Sequence, residues 1–271
     1  MEQKRLCPFC MGELPPAATV CPHCGKILEG CNPAGCLPVG TVLAGRYTVG
    51  EMRSLDGEGV LYSGVENLGA FRVTIKEYLP VTLSAERGAD CILRPKQGSE
   101  VLFKTTRVDL ADLYRAVQRI TPASGLEAVL DVVEANNTVY AVLENLGGTP
   151  LEQWLENRPA PVQAEDACAM LRPVFEGVAA MHKAGLVHRG ICPENIRVMS
   201  DGRCRLAGYA TVGLRTAGSG LHEQLYEGYS APEQYTTAEF EGRYTDEYSL
   251  AAVFYRMVCG QAPVPAAQRV V

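Results

Sequence analysis

The chain has 271 residues, 47% of them apolar and 21% charged, and this globular composition excludes an intrinsically disordered protein. Its formal net charge of −6 argues against nucleic acid as the main partner, because binding to a phosphate backbone depends on accumulated Lys and Arg. The N-terminus lacks the apolar core of a signal peptide, and no stretch reaches the roughly 18 apolar residues that span a bilayer. We therefore expect a cytoplasmic protein without a membrane segment, made of one large domain and a small module.

The first part of the chain contains two C-x-x-C pairs, formed by Cys7 with Cys10 and by Cys21 with Cys24. Four thiolates at this spacing give Zn²⁺ a closed tetrahedral shell, and so short a segment needs metal binding in order to fold. The alternative, a thioredoxin-like redox pair, would need a single C-x-x-C at the start of a helix. The spacing predicts a structural zinc ribbon over residues 1–29, with His23 outside the metal shell.

Residues 30–40 form a Gly- and Pro-rich linker that contains Cys31 and Cys36. These two cysteines could bind metal, but no second pair lies nearby, so unpaired thiols are the favoured interpretation. Most of the remaining cysteines fall in apparent core segments. Eleven cysteines that serve metal binding and packing rather than disulfides are typical of a reducing compartment.

Short alternating runs begin at Thr41. The segments TVLAGRYTVGEMR, GVLYSGVE and FRVTIKEYL predict an antiparallel meander. Residues 99–120 place apolar side chains, including Phe103 and Leu110, on one helical face. Two further strands, AVLDVVEA and TVYAVLEN, precede a helical region that includes an amphipathic helix over residues 164–183. Strands followed by helices indicate an α+β fold with segregated halves.

Four motifs, VTIK, HRGICPEN, LAGYA and SAPE, occur in this order and resemble the signatures of bacterial eukaryotic-like Ser/Thr protein kinases. KEYLP, with Arg87 downstream, is similar to one bacterial subfamily whose members often carry an N-terminal zinc ribbon. The resemblance covers roughly Thr41 to the end. It implies a two-lobed protein-kinase-like fold. The N-lobe, an antiparallel sheet plus one helix, would span residues 41–146, and a mainly helical C-lobe would span residues 147–271, incomplete before its last helices.

Part of the kinase machinery matches. By the resemblance, Lys76 takes the position of the phosphate-binding lysine and Asn195 that of the Mg²⁺-binding asparagine, as remnants of a nucleotide site. Glu233 in SAPE matches a glutamate that pairs, in the family, with an arginine near the domain end, and we expect that partner to lie beyond this chain. Four other positions match the structural framework of the family: Leu110, His188, Tyr209 and Asp246.

Two acidic groups of the kinase machinery are lost. Gly190 replaces the catalytic aspartate in HRGICPEN, and a glycine has no group that can accept a proton. Gly208 replaces the Mg²⁺-binding aspartate in the segment GYA. Because no Asp or Glu occurs between Gly202 and Gly220, a shifted alignment does not restore the carboxylate.

A third loss is at Thr106, where the family has the helix glutamate that holds the lysine. The threonine side chain is too short to reach Lys76. Glu100 lies nearly two turns earlier and Asp109 points away, so neither is expected to substitute. Lys76 is then either held by another group or free.

The glycine-rich loop aligns with SLDGEG, residues 54–59. Glycines let backbone amides approach phosphates, whereas Asp56 and Glu58 would bring negative charge towards a polyanion. Thr74 and Arg197 also depart from the residues that usually surround the adenine base. The sequence therefore argues against ATP and Mg²⁺ as cofactors.

These losses favour a catalytically inactive protein-kinase-like domain, a pseudokinase, that acts as a signalling scaffold or allosteric binding module for a protein partner. Lys76, His188, Asn195 and Asp246 are then scaffold groups. The alternative is a Ser/Thr protein kinase or unconventional ATP-dependent phosphotransferase with residual activity, which would use Lys76 and Asn195 with a displaced carboxylate. A third hypothesis is a nucleotide sensor that binds without turnover.

Overall fold

The computed structural model describes residues 7, 9–10, 12–28, 32–120 and 125–269. The chain folds into two compact units. The first comprises Met1–Arg115 and Val129–Asn145, and the second comprises Ala116–Ala128 and Leu146–Val271. Residues 116–128 thus group with the second unit, whereas the sequence placed them in the N-lobe. The reason is local, since Leu206 donates to the carbonyl of Gly125 and accepts from the amide of Glu127, each at 2.8 Å.

The first unit is built on an antiparallel sheet with the strand order β1-β2-β3-β4-β8-β7. The predicted meander and the two later strands are confirmed. Asn136 and Asn137 join the last two strands with φ values of 54° and 57°, which a tight two-residue hairpin turn requires. The strands are β1 (Val42–Leu43), β2 (Tyr47–Leu55), β3 (Gly59–Glu66), β4 (Phe71–Tyr78), β7 (Val129–Ala135) and β8 (Thr138–Glu144).

A separate hairpin of β5 (Ser84–Arg87) and β6 (Leu93–Pro95) was not predicted. Arg87 forms an ion pair with Glu77 of β4, and both side chains are almost fully buried. The Glu77 carboxylate also accepts the hydroxyl of Tyr62 at 2.7 Å. This buried charge pair ties the hairpin to the sheet, and no local pattern reveals it because its partners come from different elements.

One long helix, α1 (Glu100–Ile120), follows the hairpin and agrees with the predicted helix to within one residue. Phe103 and Leu110 are buried as predicted. The ring of Phe103 packs at a tilt on that of Tyr78, with 5.4 Å between the ring centroids. The apolar stripe read from the sequence is therefore the packed face of the helix.

The second unit is mainly helical. Its long helix α3 has the bounds predicted from the sequence, because its apolar residues recur at helical spacing and are buried. Within the described residues, we find no helix with the length and apolarity that a membrane crossing demands. The elements are β9 (Thr149–Pro150), α2 (Leu151–Glu156), α3 (Ala164–Lys183), β10 (Ile196–Val198), β11 (Cys204–Leu206), α4 (Val212–Arg215), a 3₁₀ turn (Pro232–Tyr235), α5 (Arg243–Cys259) and α6 (Ala266–Arg269).

The linker lies against the sheet of the first unit. The Asn32 side-chain amide donates to the carbonyls of Leu37 and Gly50, at 2.8 and 3.0 Å, and its oxygen accepts the amide of Met52 at 2.9 Å. Cys36 is a free, half-buried thiol. Cys31 lies outside the described residues. The segment that was predicted to be a linker is thus attached to β2 by specific hydrogen bonds.

Candidate functional site

Lys76 lies on β4 and is buried, as expected for a residue in the middle of the sheet. Its ammonium group forms an ion pair with Asp56, which follows the end of β2. The other carboxylate oxygen of Asp56 accepts the backbone amides of Glu58 at 3.0 Å and Gly59 at 2.8 Å. Of the two possibilities left by the sequence, the structure shows that Lys76 is held by another group, and that this group is the loop aspartate.

Thr106 does not take over the function of the missing helix glutamate. Its hydroxyl is hydrogen-bonded to that of Tyr78 and donates to the carbonyl of Leu102 at 2.7 Å, so it is occupied within its own surroundings. Glu100 and Asp109 are exposed on α1. Among the described residues, the ion pair of Lys76 is formed with Asp56 and not with a carboxylate of α1.

Asp246, at the start of α5, organises the loop that carries the HRG sequence. Its carboxylate accepts the backbone amides of His188 at 2.9 Å and Arg189 at 2.8 Å, and it lies 2.8 Å from Nε2 of His182. Arg189 has a φ of 63°, a left-handed conformation that is uncommon for a residue with a side chain. The carboxylate therefore stabilises this conformation through its two backbone hydrogen bonds.

A cation lies against Gly190, the position where the family resemblance predicts the catalytic aspartate. A Cβ built on Gly190 would lie 2.7 Å from Nη2 and 2.8 Å from Nε of Arg215. Arg215 is almost fully buried, with 2% of its surface exposed. Among the described residues, it makes no ion pair with a carboxylate. The guanidinium group therefore lies directly against the backbone where a proton-accepting side chain would begin.

Arg215 belongs to a hydrogen-bond network that it enters through its two Nη atoms. It donates to the carbonyl of Gly208 at 3.0 Å and to the hydroxyl of Tyr226 at 2.8 Å. The side-chain amide of Asn195 donates to the same hydroxyl at 3.0 Å and to the carbonyl of Gly190 at 2.7 Å. Burial raises the pKa of Tyr226, which keeps this hydroxyl neutral. Both amide hydrogens of Asn195 are thus committed to neighbours in the second unit.

Gly208 is also closely enclosed. Its φ is 84°, and a Cβ at this position would lie 2.6 to 2.7 Å from the amide atoms of Asn195. An aspartate at position 208 would therefore need a different backbone conformation and a displaced asparagine. The local geometry therefore leaves no room for the carboxylate that the family resemblance predicts at position 208.

His188 and Tyr209 form the aromatic part of the framework. Their rings are tilted against each other with 5.4 Å between centroids, and the Tyr209 hydroxyl donates to the carbonyl of Glu127 at 2.8 Å. Burial lowers the pKa of His188 to about 4, so the imidazole is neutral at pH 7. Its Nδ1 then accepts the amide of Gly190 at 3.2 Å. Neither residue carries a charge that could assist phosphoryl transfer.

The segment around SAPE is fixed by buried polar side chains. Glu233 accepts the hydroxyl of Thr245, a residue of α5, at 2.5 Å. The fully buried Gln234 donates to the carbonyl of Arg189 at 2.9 Å. The Arg189 side chain in turn pairs with Glu241 at 2.5 Å.

Two residues, Thr74 and Arg197, were predicted to differ from those that usually surround the adenine base, and both lie on strands. Thr74 is on β4, opposite Ser63 and Leu143, and Arg197 is on β10, opposite Pro150 and Arg205. Both are half-buried.

The four cysteines predicted to bind metal come together. The Sγ atoms of Cys7, Cys10, Cys21 and Cys24 all lie within 4.8 Å of one another. The amide of His23 points at Cys21 Sγ from 3.4 Å, while its imidazole Nε2 lies 3.0 Å from the carbonyl of Glu13. The cluster could therefore bind a metal ion through sulfur alone, and the histidine side chain is engaged elsewhere.

The sequence did not identify Arg215 or Tyr226 as parts of the site. The one available signal was that Arg215 is the single charged residue between Arg205 and His222. A lone arginine in an uncharged segment shows that its charge needs a partner, but it does not show which residues provide that partner. Asp56 was identified only as a charge opposed to phosphate, and its pairing with Lys76 was missed.

Comparison with known families gives a direct match. Residues 116–270, more than half of the chain, match the protein kinase domain family. The chain belongs to the protein kinase family. The fold class predicted from the sequence, with an antiparallel N-lobe sheet and a helical lobe, is confirmed, and the four-cysteine cluster is compatible with a zinc ribbon.

Individual relatives agree with this assignment. The chain is 37% identical over 153 residues to the serine/threonine-protein kinase PknL of Mycobacterium tuberculosis, covering 55% of this chain and 37% of that protein. It is 31% identical over 144 residues to sperm motility kinase 2B of Mus musculus, covering 52% of this chain and 29% of that protein. This chain thus spans about a third of the length of these relatives. The solved structure "PpkA-294 apo form" superposes with a TM-score of 0.70 at 23% identity, over 87% of this chain and 83% of that chain, and shows the shared fold.

Proposed function

We propose that this chain is a catalytically inactive member of the protein kinase family, a pseudokinase that acts as a signalling scaffold or allosteric binding module for a protein partner. The observation that carries the proposal is the burial of the Arg215 guanidinium against Gly190. A general base must be deprotonated and within hydrogen-bond reach of the proton that it takes. A permanently charged guanidinium at that position has no acceptor and cannot take a proton.

The remaining charged groups support the same proposal. Phosphoryl transfer depends on Mg²⁺ held by an aspartate and an asparagine, and here position 208 is glycine while the Asn195 amide is committed to Gly190 and Tyr226. Removing one group that stabilises transition-state charge costs about 10²-fold in rate or more. Losses at the base, at the metal ligand and at the helix glutamate together should leave negligible turnover.

The test is phosphate incorporation by the full purified chain. It is incubated with labelled ATP and generic protein substrates, with Mg²⁺ or Mn²⁺, beside a Lys76→Met variant. The expected result is equal background incorporation in both proteins. Incorporation by the natural chain that disappears in the Lys76→Met variant would overturn the proposal and support the alternative, a phosphotransferase with residual activity.

We also propose that the four-cysteine cluster holds structural Zn²⁺. The donor set fits this metal, because four thiolates form a closed tetrahedral shell that leaves no open position for catalysis. The metal would supply folding free energy to a module whose own core is small, made of Leu14 and Leu28 with two of the cysteines. Since the thiols must stay reduced to bind metal, we place the protein in the cytoplasm.

A further inference from the structure

Three hydrogen-bond donors converge on the carboxylate of Asp56. Oδ2 receives the ammonium group of Lys76, and Oδ1 receives the backbone amides of Glu58 at 3.0 Å and Gly59 at 2.8 Å. The Lys76 side chain is 5% exposed and that of Asp56 is 26% exposed, so the pair is partly shielded from water. The single carboxylate of Asp56 thus neutralises a cation and accepts hydrogen bonds from two consecutive backbone amides.

This donor set is chemically suited to a phosphate group. Consecutive backbone amides in a turn form an anion-binding concavity, and a lysine ammonium adds the charge that a phosphate needs. In the alignment of residues 54–59 with G-x-G-x-x-G, Asp56 occupies the second glycine position. The side chain that breaks the glycine pattern is therefore the one that neutralises the lysine.

We propose that Asp56 is an internal anion that occupies Lys76 and the two loop amides, and thereby excludes phosphate-bearing ligands from this part of the first unit. This autoinhibitory contact deepens the proposed function, on which it rests, by naming the group that keeps Lys76 from acting as a phosphate-binding residue. The ligand class that it excludes is a polyphosphate, either free or as part of a nucleoside triphosphate.

The internal carboxylate has a competitive advantage over a ligand from solution. Asp56 is attached to the same loop as the amides, so it contacts them without losing translational freedom, at an effective concentration in the millimolar range or above. Burial raises the pKa of its carboxyl group, but Lys76 and the two amides outweigh burial and lower it overall. The competing anion is therefore fully charged at neutral pH.

The test compares the full chain with its Asp56→Asn variant. Asparagine keeps the size and the oxygen that accepts the two amides but removes the charge. Binding of inorganic tripolyphosphate and of ATP, each with and without Mg²⁺, is measured by titration calorimetry and by thermal shift. We expect Asp56→Asn to bind tripolyphosphate at least about tenfold more tightly than the natural chain, and Lys76→Met in that background to abolish the gain. The two ligands distinguish a site for phosphate alone from one that also accepts a nucleoside.

A matched control removes one negative charge from β2, the strand that precedes Asp56. Glu51→Gln on β2 loses an exposed pair with Lys26 and should leave tripolyphosphate binding unchanged. Asp56→Gly, which restores the glycine pattern, is a second variant in case the asparagine lowers the folded fraction. Equal affinity of the natural chain and both Asp56 variants would overturn the inference, as would a gain that survives Lys76→Met.

The outcomes separate this inference from the proposed function. Lys76-dependent phosphate transfer by the natural chain would contradict the proposed function, while the binding comparison would still decide the role of Asp56. A failure of the Asp56 variants to gain affinity would refute the internal-anion role and leave catalytic inactivity untouched, because that proposal is carried by Arg215 and Gly190.

Discussion

The guanidinium group of Arg215 lies against Gly190 so closely that a Cβ at position 190 would come within 2.7 Å of Nη2. The position where we propose that the catalytic aspartate is lost is therefore enclosed by a buried cation. That cation is hydrogen-bonded to neutral acceptors, the Tyr226 hydroxyl and the Gly208 carbonyl. An acidic residue introduced at this position would therefore meet a buried positive charge. Its effect on stability and activity should differ from the effect expected in an empty cavity.

Restoring the aspartate at position 190 should create an ion pair rather than a base. The clashing atoms belong to the flexible end of a long side chain, so a small shift of Arg215 lets Gly190→Asp accept its hydrogen bonds. Gly190→Asn is the matched control, equal in size but uncharged. Because hydrogen bonds to charged groups contribute about 1.5–3 kcal/mol, the aspartate variant should unfold in urea with a free energy roughly 1–3 kcal/mol above that of the asparagine variant.

Neither position-190 variant should gain phosphate transfer from ATP. If Gly190→Asp proved no more stable than Gly190→Asn, the ion pair would be refuted. Measurable transfer by Gly190→Asp alone would show that Arg215 can be displaced to leave a working base.

Restoring the aspartate at position 208 should destabilise the second unit. Gly208 has a φ of 84° and is enclosed by Asn195, whereas Gly202 has a φ of 79° with no atom within 4 Å of a built Cβ. Both substitutions place a non-glycine residue at positive φ, and this backbone strain costs about 1–3 kcal/mol of folding free energy. Only Gly208→Asp also overpacks its surroundings, which adds about 1–3 kcal/mol. Urea unfolding should therefore rank Gly208→Asp well below Gly202→Asp in stability, and equal values would contradict the tight packing.

The buried pair of Arg87 and Glu77 should contribute far more to stability than an exposed pair on the same hairpin. Arg87→Met leaves Glu77 buried without its cation, and breaking such a pair costs about 3–5 kcal/mol. Arg94→Met removes an exposed partner of Asp90, which is worth less than about 1 kcal/mol. The measurement is the free energy of unfolding of both variants at pH 7. Similar small losses would show that Glu77 relaxes or protonates when Arg87 is removed.

Zinc should bind in one equivalent per chain and depend on cysteine but not on histidine. Cys10→Ser removes one of the four sulfurs and should lower the bound metal well below one equivalent in freshly purified, reduced protein. His23→Ala should retain the metal, because the imidazole bonds to the carbonyl of Glu13 instead. The metal content of the natural chain and of both variants is measured by mass spectrometry. Loss of zinc from His23→Ala, or none in the natural chain, would refute the four-sulfur site.

The sequence by itself determined the outline of the fold and the chemical losses. The alternating strands and the helix over residues 164–183 are reproduced because burial of one face imposes a fixed period on a single element. The two C-x-x-C pairs are a local pattern of another kind, a spacing suited to metal ligands. The absence of carboxylates at Gly190 and Gly208 is a matter of residue identity. For the same reason, the family signatures could be recognised from the sequence, and the positions at which it predicts a loss of function could be named.

Only the tertiary structure decided what takes the place of the lost groups. Lys76 is 20 residues from Asp56, and their pairing follows from the way β2 and β4 lie on either side of β3. Arg215 meets Gly190 because the end of the short helix α4 packs against the loop that carries Gly190 in the second unit. A charged side chain shows in the sequence that it needs a partner, but the partner is chosen by packing between elements distant in the chain. Periodicity reports which face of an element is buried and carries no information about what lies opposite it.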